Sequence, residues 1–144
     1  MGIILGGLAI GLIGLVIVAG VVLWAAQERI MFRGRTSDIL ETPAEKQWPV
    51  EEVWVESTGG RTHGWWLPLD GARGVVMFSH GSGKNISHYL DDAAIFRGMG
   101  FSVLLYDYGG YGESTGKPGE KRCYADSRAM WKYLTETRHI DPSK

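Results

Sequence analysis

The first 26 residues contain no Lys, Arg, Asp, Glu or His, and all 15 basic and 16 acidic residues of the 144-residue chain come after them. This division constrains the fold before any motif does. From Gly2 to Ala26 the chain is mostly Ile, Leu, Val, Gly and Ala. As a helix it would be about 37 Å long, enough to cross a hydrocarbon core of about 30 Å with some tilt. Trp24 stands near its end, where an interfacial aromatic belongs. A cleaved signal peptide fits less well: no Lys or Arg precedes the run, and the run exceeds the usual ~7–15 residues. The pattern predicts a transmembrane anchor over 1–26, a connector over 27–50 and a folded domain over 51–144. Gly2/Gly6 and Gly7/Gly11 are small-residue pairs that can bring two such helices close, although glycine is common in membrane helices anyway. Arg29, Arg33 and Arg35 follow the span, so the positive-inside rule makes this a single-pass protein with its soluble part in the cytoplasm and the bilayer as its partner.

About a quarter of residues 27–144 are charged, which is ordinary for a soluble domain. The net charge of -1 offers no basic footprint for nucleic acid. The lone Cys123 excludes an internal disulfide framework and a cysteine-rich zinc site, and reads as a small buried hydrophobe.

Residues 27–50 are punctuated by Pro43 and Pro49. Glu51–Ser57 alternates, with Val53 and Val55 on one face, and Thr58-Gly59-Gly60 leads into Arg61–Leu67: a hairpin. The runs Gly74–Ser79 and Phe101–Tyr106 are short and continuously apolar, as strands buried on both faces are. Between them, apolar residues at 86, 89/90, 93 and 96 predict a helix over Asn85–Met99, ended by Gly100. A last helix is predicted over Glu120–Thr137, with apolar residues at 123, 130, 131 and 134. The order β-β-β-α-β-α implies an α/β sheet with a parallel crossover, and ligands bind at the carboxyl ends of such strands.

Two loops leave those ends. His80-Gly81-Ser82-Gly83 lies between a strand and a helix, where backbone N–H groups can face an anion. It is not a phosphate-binding P-loop, because Phe78 stands at the first required glycine and Asn85 at the Ser/Thr position. A dinucleotide G-x-G-x-x-G fails at Ile86. The functional reading that survives is an oxyanion hole using the N–H of Ser82; the plainer alternative is a tight turn with no role. Gly112-Glu113-Ser114-Thr115-Gly116 is a literal G-x-S-x-G, but it reads as a decoy. A nucleophile elbow needs a strand directly before the serine and a helix directly after. Here Gly109 and Gly110 intervene before it, and Lys117-Pro118-Gly119 follows. Asp126 and His139 sit on or near one helix about 20 Å apart along its axis, too far to meet at one serine. The histidines at 63, 80, 88 and 139 lack metal-ligand spacing, so no metal is expected. His80 and Asp107 read as groups that shape or orient the loops. Trp65 and Trp66 must point to opposite faces of one strand.

Taken together, these loops resemble one family. Ser79-His80-Gly81-Ser82-Gly83-Lys84-Asn85 is similar to the HGNxGN loop of α/β-hydrolases. Tyr106-Asp107-Tyr108-Gly109-Gly110-Tyr111-Gly112-Glu113-Ser114-Thr115-Gly116-Lys117-Pro118 resembles the YDYRGYGxSxGxP loop of the same superfamily. Glu120, Asp126, Ala129, Tyr133 and Leu134 continue the likeness to the BEM46-like group of membrane-anchored serine hydrolases. Two departures stand out: Gly109 replaces the usual Arg, and Ser82 replaces the usual Asn, leaving a backbone oxyanion donor intact. The resemblance implies the N-terminal half of an α/β-hydrolase sheet. It also implies no cofactor, and hydrolysis of a small ester, thioester or amide substrate by a Ser-Asp-His triad. In the family the triad comes later than His139-Ile140-Asp141-Pro142-Ser143-Lys144, so this chain is expected to lack the triad and to be inactive alone. The alternative is a non-catalytic, membrane-anchored binding protein with a shortened hydrolase fold.

Overall fold

A computed structural model describes residues 2–32 and 38–143. They fall into two units, Met1–Met31 and Phe32–Lys144, taken separately below. Arg33 and Arg35, on which the predicted orientation partly depends, lie outside the described residues.

The first unit is one helix, α1, Gly2–Met31. It runs past the predicted end of the apolar segment, because Gln27, Glu28 and Arg29 are good helix formers and no breaker stops them. Leu12, Ile13, Val16, Val22 and Trp24 are all exposed. Twenty-six residues of α1, Gly6–Met31, are long and apolar enough to cross a membrane.

The second unit begins its sheet with β1, Glu51–Ser57, and β2, Gly60–Leu67. The chain reverses at Thr58-Gly59, where Gly59 adopts a φ of 87° that favours glycine. Then follow β3, Val75–Ser79; α2, Leu90–Gly98; β4, Ser102–Tyr106; and α3, Glu120–Lys132. The sheet order is β1-β2-β4-β3, with β3 and β4 parallel and the other pairs antiparallel. The alternation of side chains along each strand builds a core on each face. Trp65, Leu67, Val103 and Leu105 pack with Ile86, Leu90 and Ala93. Trp66, Leu104 and Tyr106 pack with Val53, Met130 and Leu134. The adjacent tryptophans do face opposite sides. Strand β4 is buried throughout, whereas β3 pairs on one side only and is half-buried. Its Val-Val-Met-Phe run therefore forms an apolar sheet edge among the described residues.

Both predicted helices are modified by local chemistry. The stripe from Asn85 to Met99 is broken: Ile86–His88 is a 3₁₀ turn, Tyr89 is non-helical (φ -119°, ψ 19°), and α2 starts at Leu90. The Asn85 side chain accepts the Ser87 N–H at 3.0 Å, tightening the first turn. The second helix ends its α geometry at Lys132, and Tyr133–Thr137 widens into a π turn that keeps Leu134 buried. Trp131, expected on the apolar face, is exposed, while Arg122 and Asp126 are buried instead. Cys123 is half-buried, and burial pushes its thiol up to about 11, so at neutral pH it is no nucleophile.

That buried polar pair explains Gly109. Asp126 accepts Arg122 Nε at 2.8–2.9 Å, the Thr62 hydroxyl at 2.7 Å and the Gly109 N–H at 2.7 Å. A Cβ on Gly109 would lie 2.4 Å from Arg122 Nε. The space a side chain at 109 would need is filled by the arginine at 122. Gly109→Ala is therefore expected to destabilise the wild type by about 1–3 kcal/mol through overpacking. In an Arg122→Ala background most of that cost should vanish. A double-mutant cycle by urea unfolding measures the coupling, expected above about 1 kcal/mol; simple additivity would refute the clash.

Candidate functional site

Because β3 and β4 are parallel, their carboxyl ends lie at the same edge of the sheet, where the 80–89 and 107–119 segments leave it. Asp107 follows β4 directly and is 1% exposed. Its Oδ1 accepts the Ile86 N–H at 3.0 Å, its N–H donates to the His63 carbonyl at 2.9 Å, and its carbonyl accepts the Ser114 hydroxyl at 2.7 Å. One residue thus joins both loops to β2.

His80 follows β3 and its side chain is fully buried. Its Nδ1 lies 2.7 Å from the Gly81 carbonyl, which can only accept, so Nδ1 carries a hydrogen. Its Nε2 lies 3.1 Å from Asp107 Oδ1 but is not aligned for a hydrogen bond. The rings of Tyr108, Tyr111 and Tyr89 surround the imidazole at 4.7, 5.3 and 5.8 Å between centroids. Burial pushes the Tyr108 phenol well above its ordinary range, so it stays neutral. Above this floor Gly81 and Ser82 are exposed. The Tyr89 hydroxyl accepts the Gly81 N–H at 3.3 Å, and the Tyr111 hydroxyl donates to the Ser82 carbonyl at 3.0 Å. The turn is held at the surface from below on two sides.

Ser114 stands elsewhere in this arrangement. It is buried, its hydroxyl donates to the Asp107 carbonyl at 2.7 Å and accepts the His63 N–H at 2.8 Å. It staples β2 to the β4 loop through backbone groups. The His63 imidazole turns away and pairs with Glu52, with Glu113 3.9 Å from its Nε2. Among the described residues one serine–imidazole contact is seen, Ser87 Oγ to His88 Nδ1 at 3.3 Å, but Ser87 is buried and its oxygen also bonds Asn85 and the Leu40 N–H. Asp126 is committed to Arg122, Thr62 and Gly109, and His139 is exposed. Among the described residues no exposed serine meets an imidazole backed by a carboxylate, and no three His, Cys, Asp or Glu gather where they could hold a metal ion. An open groove of about 810 Å³ lies along β1 and α3, lined by Trp54, Arg128, Lys132 and Tyr133 among others, and shares no residue with the two loops.

The sequence points to His80, Gly81, Ser82 and Asp107, and the structure brings these four to one sheet edge. It adds Tyr108 and Tyr111, which the loop motif Tyr108-Gly109-Gly110-Tyr111 signals only by its aromatic content, Tyr89, which the sequence places on the apolar helical stripe, and Asn85, a short polar residue just before that stripe.

Residues 70–142 match a family model described as serine aminopeptidase, S33. The chain is 30% identical over 140 residues to the α/β-hydrolase domain-containing protein WAV2 of Arabidopsis thaliana, covering 91% of this chain and 46% of that protein. It is also similar to an α/β-hydrolase crystal structure from Vibrio vulnificus (TM-score 0.62, 32% identity, 71% of this chain, 35% of that one). An esterase from Pyrococcus furiosus matches with a TM-score of 0.59 at 26% identity, over 67% of this chain and 38% of that one. The chain spans 44–47% of the length of the curated relatives it matches most fully.

Proposed function

The chain belongs to the α/β-hydrolase superfamily, in the family described as serine aminopeptidase S33, and from that membership we propose that it is the membrane-anchored, oxyanion-loop portion of a serine hydrolase. The full-length protein hydrolyses an ester, thioester or amide of a small acyl substrate through a Ser-Asp-His triad and an acyl-enzyme. In this reading the backbone N–H of Ser82 faces the developing oxyanion, and one such donor contributes about 10²–10³ in rate. His80, Gly81 and Asp107 hold the turn that presents it. The observation that carries the reading is the surface turn at Ser82, pinned by Tyr111 and Tyr89 over a buried His80–Asp107 floor at the carboxyl edge of two parallel strands. The triad comes from residues outside 1–144, and α1 is the anchor, with the folded unit on the cytoplasmic side.

A second reading has its own support. The open β3 edge borders a small notch lined by Val75, Met77, Trp131, Leu134 and Ile140, where a partner strand could add to the sheet in a non-catalytic binding protein.

Fluorophosphonate labelling in membranes separates the two. The full-length form is expected to label on a serine other than Ser114, and residues 1–144 alone are not. Ser114→Ala should leave labelling of the full-length form unchanged, yet cost about 1–3 kcal/mol of stability by orphaning the His63 N–H. Absence of labelling in every form would favour the binding protein. Labelling of the short chain that is lost in Ser114→Ala would overturn both readings.

A further inference from the structure

The 80–88 loop is also held from outside, by a segment that the proposed mechanism does not use. Asn85 and Ser87 are 0% and 1% exposed. Asn85 Nδ2 donates to the Asp38 carbonyl at 3.0 Å, and the Leu40 N–H donates to Ser87 Oγ at 2.9 Å. Ser87 Oγ donates in turn to Asn85 Oδ1 at 2.5 Å. The side chains of Ile39 and Leu40 point outward, 43% and 68% exposed, so burial of apolar surface does not explain why this stretch lies here. It is bound by its backbone to two buried polar side chains. The chain then continues into a turn at 43–47, where Lys46 pairs with Asp91 of α2 at 3.0 Å and with Glu41 at 3.2 Å. Between Asn85 and Ser87 sits Ile86, whose N–H is fixed by Asp107. The loop is thus clamped from the sheet side by Asp107 and from the other side by residues 38–40.

We propose that residues 38–40 form a strap that sets the position of the 80–88 loop, with Asn85 and Ser87 as the positioning residues that receive it. Without it, Asn85 Nδ2 loses the Asp38 carbonyl and Ser87 Oγ loses the Leu40 N–H, and the segment that includes the Ser82 turn opens more readily. In sequence, six residues lie between the end of α1 at Met31 and the strap at Asp38. Its structural coupling stands by itself; its effect on turnover rests on the hydrolase reading above.

Leu40→Pro tests the strap, because it removes the donating N–H and leaves every loop residue in place. Leu40→Ala keeps the N–H and is the control. Deuterium exchange is followed by mass spectrometry on the 144-residue chain in detergent micelles. Peptides over 80–88 are expected to exchange about tenfold faster in Leu40→Pro, with those over β4 and α3 unchanged and Leu40→Ala like wild type. Ser87→Ala should reproduce the pattern from the other partner of the bond. Unchanged exchange at 80–88 in both Leu40→Pro and Ser87→Ala overturns the strap, and so does a uniform increase across β4 and α3. In the full-length hydrolase, Leu40→Pro should lower kcat about tenfold at unchanged KM, with activity retained in Leu40→Ala. Faster loop exchange with unaltered kcat would keep the strap and overturn the oxyanion role of the loop instead.

Discussion

Asp126→Ala is expected to cost the folded unit about 3–5 kcal/mol, among the largest effects of any single substitution in it. The carboxylate is fully buried and accepts from three elements at once: Arg122 on α3, Thr62 on β2 and the Gly109 N–H of the β4 loop. Removing it leaves the Arg122 guanidinium buried with only the Thr58 carbonyl at 2.8 Å and the Thr62 hydroxyl at 3.4 Å for company. It also orphans the Gly109 N–H. An isolated surface ion pair is worth far less, about 0–1 kcal/mol, and the difference is desolvation: here the surviving charge cannot return to water without unfolding the contact between α3 and the sheet. Asp126→Asn should fall between, since one oxygen can still accept. Urea unfolding in micelles, followed by tryptophan fluorescence, measures both. A loss below 1 kcal/mol for the alanine variant would mean that water reaches Arg122 and that the network is peripheral.

This network marks the limit of what the sequence shows. The strands were legible because their signals are local: alternation in Val53 and Val55, and continuous apolar runs at 74–79 and 101–106. The meeting of the two candidate loops was legible too, since parallel strands must deliver their loops to one edge and His80, Ser82 and Asp107 stand at or just past those exits. What was not legible depended on partners far away in sequence. Arg122 and Asp126 are four apart on a helix and resemble an exposed i,i+4 pair. Only Thr62 and Gly109, brought in by the fold, make burial tolerable. Likewise Asn85 and Ser87 look like the polar start of a helix, and Asn85 does cap the 3₁₀ turn at Ile86–His88, but the two side chains also bond backbone atoms 47 positions upstream. Trp131 erred the other way, because an apolar residue at helical spacing need not face the core when the nearest strand, β3, is itself at the edge of the sheet.

Gly112→Ala is expected to cost about 3–5 kcal/mol and, unlike the change at Asp126, to act through the candidate site itself. Two costs combine. Gly112 has a φ of 47°, a left-handed conformation that costs an ordinary L-residue roughly 1–2 kcal/mol. A Cβ there would also lie 2.1 Å from Asp107 Oδ2 and 2.8 Å from its Cγ. The carboxylate cannot swing aside cheaply, because its Oδ1 holds the Ile86 N–H and lies against His80. To relieve the clash, either the Tyr111–Ser114 turn lifts or Asp107 releases the 80–88 loop. Gly71 supplies an internal control: its φ is 70°, and a Cβ there meets nothing within 4 Å. Gly71→Ala should therefore report the backbone term alone, about 1 kcal/mol, and the excess at Gly112 reports the collision with Asp107. If the excess appears together with faster exchange of the Ile86 amide, the carboxylate is what couples the two loops. If the excess appears and the Ile86 amide stays protected, the β4 loop has yielded instead and the 80–88 loop is fixed by other contacts, with the strap at 38–40 first among them.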